Sequence, residues 1–116
     1  MVNSKAKGKR AELAIAHYFQ EHGFPDAHRT AQVMGKTGGC ADVEGVPGIH
    51  IEVKHNEHLN LYDAIDQAVR DSDANGNGNV PTVFHKKNGK EWLVTMRLDD
   101  WFGLYERWKG DSTNAQ

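Results

Sequence analysis

Asp42, Glu52 and Lys54 are the residues of this chain whose types and spacing lend themselves to chemistry. Asp42 follows a glycine-rich stretch, and Glu52 and Lys54 stand two apart in the run GIHIEVK. In that run Ile49, Ile51 and Val53 alternate with His50, Glu52 and Lys54. A strand sends successive side chains to opposite faces, so the apolar residues can face a core while Glu52 and Lys54 share the other face. Two carboxylates brought together can hold a hard divalent cation through oxygen. A lysine beside them can stabilise the charge developing on a phosphorane or assist an attacking water, and the combination suits metal-assisted hydrolysis of a phosphodiester.

A bare Glu-x-Lys also fits a solvated salt bridge on an amphipathic edge strand. Three features favour chemistry instead. Asp42 lies where a hairpin would return it to the end of the Glu52 strand. Gly35, Gly38, Gly39 and Gly45 surround it. Glu12 occupies an unusual place on the first helix, whose apolar stripe is read as Ala11, Ala14, Ile15, Tyr18 and Phe19. At 100° per residue Glu12 lies only ~20° from Phe19 and ~60° from Ile15, at the rim of that stripe. There it is either a salt-bridge partner or part of a site.

The positioning elements follow from periodicity and punctuation. Residues from Lys5 to His22 read as a helix stopped by Gly23 and Pro25. Ala27 to Val33 is a short first strand, and Gly35 to Cys40 a loop. Ala41 to Val46 and Gly48 to Lys54 are two strands turned at Pro47-Gly48. Asn60 caps a helix running to about Ser72, with Leu61, Ala64, Ile65 and Ala68 as its apolar face. Val80 to His85 and Trp92 to Met96 form a hairpin with Asn88-Gly89 as the turn signal. Asp99 or Asp100 caps a last helix carrying Trp101, Leu104, Tyr105 and Trp108, and Gly110 to Gln116 is expected to be a frayed, flexible tail. The strand-helix-strand crossover makes the Glu52 and Val80 strands parallel. The expected fold is α/β, a small mixed sheet flanked by helices.

The 116 residues make a single domain spanning 1–116. A hydrophobic share of 38% and a charged share of 26% suit a soluble chain. No apolar run approaches the roughly 18 residues of a membrane span, and the N-terminus lacks the apolar core of a signal peptide. One cysteine, Cys40, fits a reducing cytoplasm and argues against a thiolate-rich zinc site. The expected location is the cytoplasm of a bacterium or of a phage-infected cell. A net charge of -2 argues mildly against nucleic acid, but Lys5, Lys7, Lys9 and Arg10 cluster at the start, as do Lys86, Lys87 and Lys90 further on. Loading about two divalent ions would add up to about four charges and turn the balance positive.

With these residues in place, the chain resembles the PD-(D/E)xK nuclease superfamily, and within it the small Holliday-junction-resolvase-like proteins of archaea and phages. The resemblance rests on Glu12 after a Lys-rich start, Asp42, the GIHIEVK strand and the following helix LYDAIDQAVRD. It implies a restriction-endonuclease-like core. It also implies that Asp42 and Glu52 are metal ligands for Mg2+ or Mn2+, with Glu12 completing the metal site. Lys54 would be the catalytic lysine, oriented by Gln67. The implied reaction is endonucleolytic cleavage of branched DNA leaving a 5′-phosphate and a 3′-hydroxyl, by a homodimer with one cut per site. Ala41 stands where the superfamily name has proline, a position that shapes the backbone and supplies no ligand. Lys5, Lys7, Lys9, Arg10 and Lys36 are the candidate DNA contacts, and Trp101, Phe102, Tyr105 and Trp108 the candidate dimer surface.

Rival readings are a same-fold nuclease acting on flaps, single strands or duplex, and a non-catalytic DNA-binding or assembly protein. His55 and His58 lack further ligands at zinc spacing and read as surface or DNA-facing histidines. His50 shares the Glu52 face and is a candidate supporting residue. The glycines of GKTGG at Gly35 to Gly39 lack P-loop spacing.

Overall fold

Two apolar clusters, one on each face of a five-stranded sheet, organise the molecule. The computed structural model describes residues 4–30 and 40–114. The elements are α1 (Ser4–Glu21), β1 (His28–Arg29), β2 (Val43–Glu44), β3 (Ile49–His55), α2 (Leu61–Asn75), β4 (Val80–Lys86), β5 (Leu93–Thr95) and α3 (Leu98–Asn114). Strand order is β1-β2-β3-β4-β5, antiparallel except for the β3–β4 pair. This is the expected mixed α/β sheet, with α2 as the crossover between its parallel strands.

α1 buries Ala11, Ile15 and Ala16 against Ala27, Val43, Val46, Ile51 and Val53, with Phe19 and Phe84 packed alongside. The buried stripe is narrower than the apolar periodicity predicts. Tyr18 is exposed and stacks on His22 at 4.0 Å, because Ala16 rather than Ala14 and Tyr18 turns inward. On the other face α2 presents Ala64, Ala68 and Ser72 to Val83. These small side chains leave room for the polar residues of β3 beneath the helix.

Both faces of β3 are therefore covered, and His50 and Glu52 are each only 1% exposed. A central parallel strand is normally roofed by its own crossover helix. That is why alternation along GIHIEVK does not translate into alternating exposure.

Local chemistry sets the element ends. Asn60 Oδ1 accepts from Asp63 N at 3.1 Å at the start of α2, and Gly76, at φ 70°, closes its end with its N–H on Ser72 O. The helix runs past the expected stop at Ser72 to reach this cap, since no earlier residue can take the left-handed conformation as readily. Between β2 and β3, Gly45 sits at φ 90°, and a Cβ there would lie 2.2 Å from Asp26 O. Only glycine fits that approach.

Other boundaries differ from the sequence expectations too: β2 is Val43–Glu44 where Ala41 to Val46 is expected, and β5 is Leu93–Thr95 where Trp92 to Met96 is expected. β1 is two residues long, without the Ala27 and Thr30 of the expected first strand, whose remainder, Ala31 to Val33, lies outside the described residues, as do Gly35 to Gly39 with Lys36. α3 starts at Leu98, so Asp99 and Asp100 belong to its first turn and favour its positive N-terminal end rather than capping it. α3 also continues through Gly110 to Asn114, where the sequence predicts a frayed tail. A helix-interior glycine costs only about 1 kcal/mol, which the good helix formers before it offset. No helix of the described residues is long and apolar enough to cross a membrane.

Candidate nuclease centre

Asp42 is held by main chain on both sides. Its N–H donates to Ile51 O at 2.8 Å, its carbonyl accepts from Thr30 N at 2.9 Å, and its Oδ2 accepts from Val53 N at 2.8 Å. Two neighbouring segments thus fix the backbone, and β3 itself aims the carboxylate. One step along the strand, Glu52 comes close enough to Asp42 to share a hydrogen bond and to feel its charge.

Glu52 also accepts from His50, Nε2 to Oε1 at 3.1 Å. Burial pushes the Glu52 carboxyl up to about 7, and repulsion from Asp42 and their shared hydrogen bond push it the same way, while the bond to His50 opposes them. Two crowded carboxylates, one deeply buried, form a donor set that a divalent cation would relieve. The oxygen chemistry fits Mg2+ or Mn2+.

Lys54 emerges at the more open end of β3 and donates from Nζ to Gln67 Oε1 on α2 at 3.1 Å. The helix-borne glutamine and the strand-borne lysine expected to cooperate are in direct contact. Asp42 with Glu52, and Lys54 with Gln67, are thus two pairs set two residues apart along the same face of β3.

Glu12 is placed differently. Its Oε1 accepts from Arg29 Nε at 2.6 Å, with both side chains largely buried. Arg29 pairs across the β1–β2 ladder with Val43, the residue after Asp42, so Glu12 lies beside the Asp42 strand as a salt-bridge partner. Its engagement with Arg29 is the alternative that its position at the rim of the stripe left open.

The three-donor group able to surround one ion among the described residues is His50, Glu52 and Asp71, with ligand atoms all within 4.8 Å of one another. It includes neither Glu12 nor Asp42. Sequence reasoning singled out His50 and missed Asp71. The signal was available in the spacing: Gln67 and Asp71 are i, i+4 on α2, adjacent to the stripe of Ala64, Ala68 and Ser72 that faces the sheet.

The basic start of α1 adjoins this centre. Lys7 lies 3.8 Å from Glu57 and, with Lys54 and His55, lines a hollow of about 370 Å³. An adjoining hollow of about 320 Å³ is lined by Lys7, Arg10, His55, Lys86 and Trp92. A third, of about 600 Å³, shares Lys86 and adds His85, Lys87 and Lys90. Both lysine clusters of the sequence thus meet around the Lys54 end of β3. Lys5 and Lys9 are exposed on the same helix. His55 Nε2 is bonded to Asn88 Oδ1 at 2.8 Å, which ties the end of β3 to the β4–β5 turn.

No family model matches the chain, and no curated protein does. Among solved structures it is similar to Hjc of Archaeoglobus fulgidus, a Holliday junction resolvase from an archaeal hyperthermophile. The two share 26% of their sequence over 77% of this chain and 76% of that one, with a TM-score of 0.57. The mixed sheet with its flanking helices is the fold of that resolvase.

Proposed function

We propose that the protein is a metal-dependent DNA endonuclease that acts on branched DNA, four-way junctions foremost. The observation that carries the reading is the convergence of Asp42, Glu52 and Lys54, with Gln67 on the lysine, on the central strand of a fold shared with a junction resolvase.

Asp42 and Glu52 would hold Mg2+ or Mn2+, with Glu12 as a further ligand if it exchanges Arg29 for the ion. When bound, the cation supplies Lewis acidity and neutralises charge at the scissile phosphate. The protein's own contribution is positioning. Backbone bonds hold the Asp42 carboxylate in place before substrate arrives, so little reorganisation is needed. Gln67 takes one of the three ammonium hydrogens of Lys54 and leaves the others to face a phosphate oxygen or an attacking water. The covered β3 face keeps bulk water from Glu52 and strengthens the local field.

Lys5, Lys7, Lys9 and Arg10 would carry phosphates of one DNA arm toward Lys54, and Lys36 would add a contact from the glycine-rich segment. Cutting a junction symmetrically needs two centres, which a two-fold homodimer supplies. The candidate surface is α3, where Leu98, Trp101, Phe102, Leu104, Tyr105 and Trp108 are all exposed. Apolar exposure on that scale along one helix marks an interaction site.

The decisive experiment is cleavage of labelled four-way junctions, flaps, duplex and single strands in Mg2+. Paired, symmetric cuts in the junction are expected. Cleavage of flaps or duplex alone would move the protein to another nuclease class, and binding without cleavage under every metal would make it a DNA-binding protein.

A further inference from the structure

Glu52 has a second polar neighbourhood on the side away from Lys54, and that neighbourhood has no part in the proposed cleavage chemistry. His50 stands two residues earlier on the same face of β3, and Asp71 reaches the pair from α2. The three donors come from two elements that the fold packs rigidly together.

We propose that His50, Glu52 and Asp71 form a second cation position that takes borderline transition ions such as Mn2+, Co2+ or Zn2+ in preference to Mg2+. The donor set is one imidazole nitrogen and two carboxylate oxygens. Imidazole suits the later transition ions, whereas Mg2+ favours oxygen and retains its waters. Around an ion held at about 2.1 Å, neighbouring ligand atoms stand roughly 3.0–3.5 Å apart. The 3.1 Å separation of His50 Nε2 and Glu52 Oε1 matches that bite once the proton shared between them is released to solvent as the ion binds, and the 4.8 Å limit on all pairs leaves Asp71 a small closure to make.

Burial supports the assignment. His50 and Glu52, each only 1% exposed, and the Asp71 carboxylate turned toward them are polar donors already withdrawn from water, so an ion bound there would meet them with little further desolvation. One of the three donors also borders open space. His50 lines a hollow of about 430 Å³ at the N-terminal end of β3, bounded by Asp26, Glu44, Asn75, Asn77 and Asn79. Those oxygens would draw a cation inward and away from the lysines at the opposite end of the strand. Glu52 is common to this position and to the proposed nuclease centre, whereas His50 and Asp71 belong to this position alone, so ion binding here is read in the free protein through those two residues.

The test uses the full chain stripped with a chelator and titrated with Mn2+ alone. Electron spin-echo modulation of bound Mn2+ should show coupling to a histidine nitrogen, and the coupling should vanish in His50→Ala. Calorimetric Mn2+ affinity should fall by roughly tenfold or more in Asp71→Asn, at least the scale seen when a ligand's own hydrogen-bond partner is lost. Asp71 is only partly buried, so that isosteric variant keeps the question answerable even if His50→Ala fails to fold. Asp42→Asn should leave the nitrogen coupling intact. Absence of nitrogen coupling in the wild-type protein, or Mn2+ affinity that depends on Asp42 and not on Asp71, would overturn the site while leaving the nuclease reading untouched. Loss of DNA cleavage activity with the coupling retained would do the reverse.

Discussion

Lys54 Nζ and Gln67 Oε1 lie 3.1 Å apart, joining the central strand to the crossover helix thirteen residues later. A flexible ammonium is thereby held by one neutral acceptor that does not discharge it. If Lys54 acts on the transition state, Lys54→Ala should lower the cleavage rate at saturating metal by roughly 10²–10³. Gln67→Ala should lower it less, by roughly 10- to 100-fold, since a misplaced lysine still carries its charge. Gln67→Glu, which keeps an acceptor, should recover part of the loss. Single-turnover rates on a junction substrate measure all three. A normal rate in Lys54→Ala would make the lysine structural.

Asp42→Asn and Glu52→Gln should abolish cleavage while retaining the fold and most DNA affinity. Far-ultraviolet dichroism, gel-shift binding and cleavage on the same preparations separate these effects. Cleavage at the wild-type rate by either variant would mean that the ligands are other residues.

Glu52 also sets a pH dependence in the metal-free protein. Its folded-state value, about 7, lies above the ordinary 4.5, so the folded protein holds this proton more tightly than the unfolded chain does. Stability from this group is therefore full below about 4.5, falls as pH rises toward 7, and is lowest above it, by on the order of 3 kcal/mol. His50 pulls in the opposite direction and Asp42 in the same one. Glu52→Gln, which mimics the protonated form, should melt above wild type at pH 8 in chelator, and the gap should close toward pH 5. Adding Mn2+ should raise the wild-type melting temperature more than that of the variant. Melting curves that run parallel across this range would show that the carboxylate carries no such burden.

Much of this arrangement was legible in the chain, because local rules and the final fold agree. Asn60 opens α2, the Asn88-Gly89 pair turns β4 into β5, and most of GIHIEVK forms β3, whereas the end of α2 at Gly76 was expected near Ser72. What was not legible depends on packing between distant segments. Alternation alone cannot say that α2 will roof the polar face of β3 and bury Glu52. The partner of Glu12 could not be named either, since Arg29 reaches it only through the short β1–β2 ladder. Asp71 was missed for the same reason: a carboxylate on a helix flank acquires meaning only once the helix lies across His50 and Glu52.

Gly45 offers a test of the hairpin that delivers Asp42. Its φ of 90° and the 2.2 Å that would separate an added Cβ from Asp26 O make alanine unwelcome on two counts. Gly45→Ala should destabilise the protein by about 2 kcal/mol or more. Gly48→Ala, at the same φ but with open space, should cost less. Chemical denaturation of the two variants compares them directly, and equal losses would mean that the approach to Asp26 is easily relaxed.

Substrate choice is the remaining question, and the α1 lysines bear on it. Lys7 lines the same hollow as Lys54, so a DNA arm lying along the start of α1 would bring its phosphates to the nuclease centre. Such binding releases counterions, and the slope of log affinity against log salt should flatten by up to ~0.9 for each phosphate no longer neutralised. Substituting Lys5, Lys7 and Lys9 together by Gln should therefore weaken junction binding at low salt and reduce that slope. The single-turnover rate at saturating DNA should change little, because these side chains position the arm without touching the reacting phosphate. Part of the Lys7 effect will be muted by its existing partner, Glu57 at 3.8 Å. Competition among junction, flap and duplex of matched sequence, titrated with salt for wild type and the triple variant, measures shape preference and charge dependence together. A junction reader should prefer the four-way substrate strongly in both proteins, with only the salt slope changed. Equal affinity for the three structures would remove the junction assignment, and an unchanged slope would place the DNA on another face.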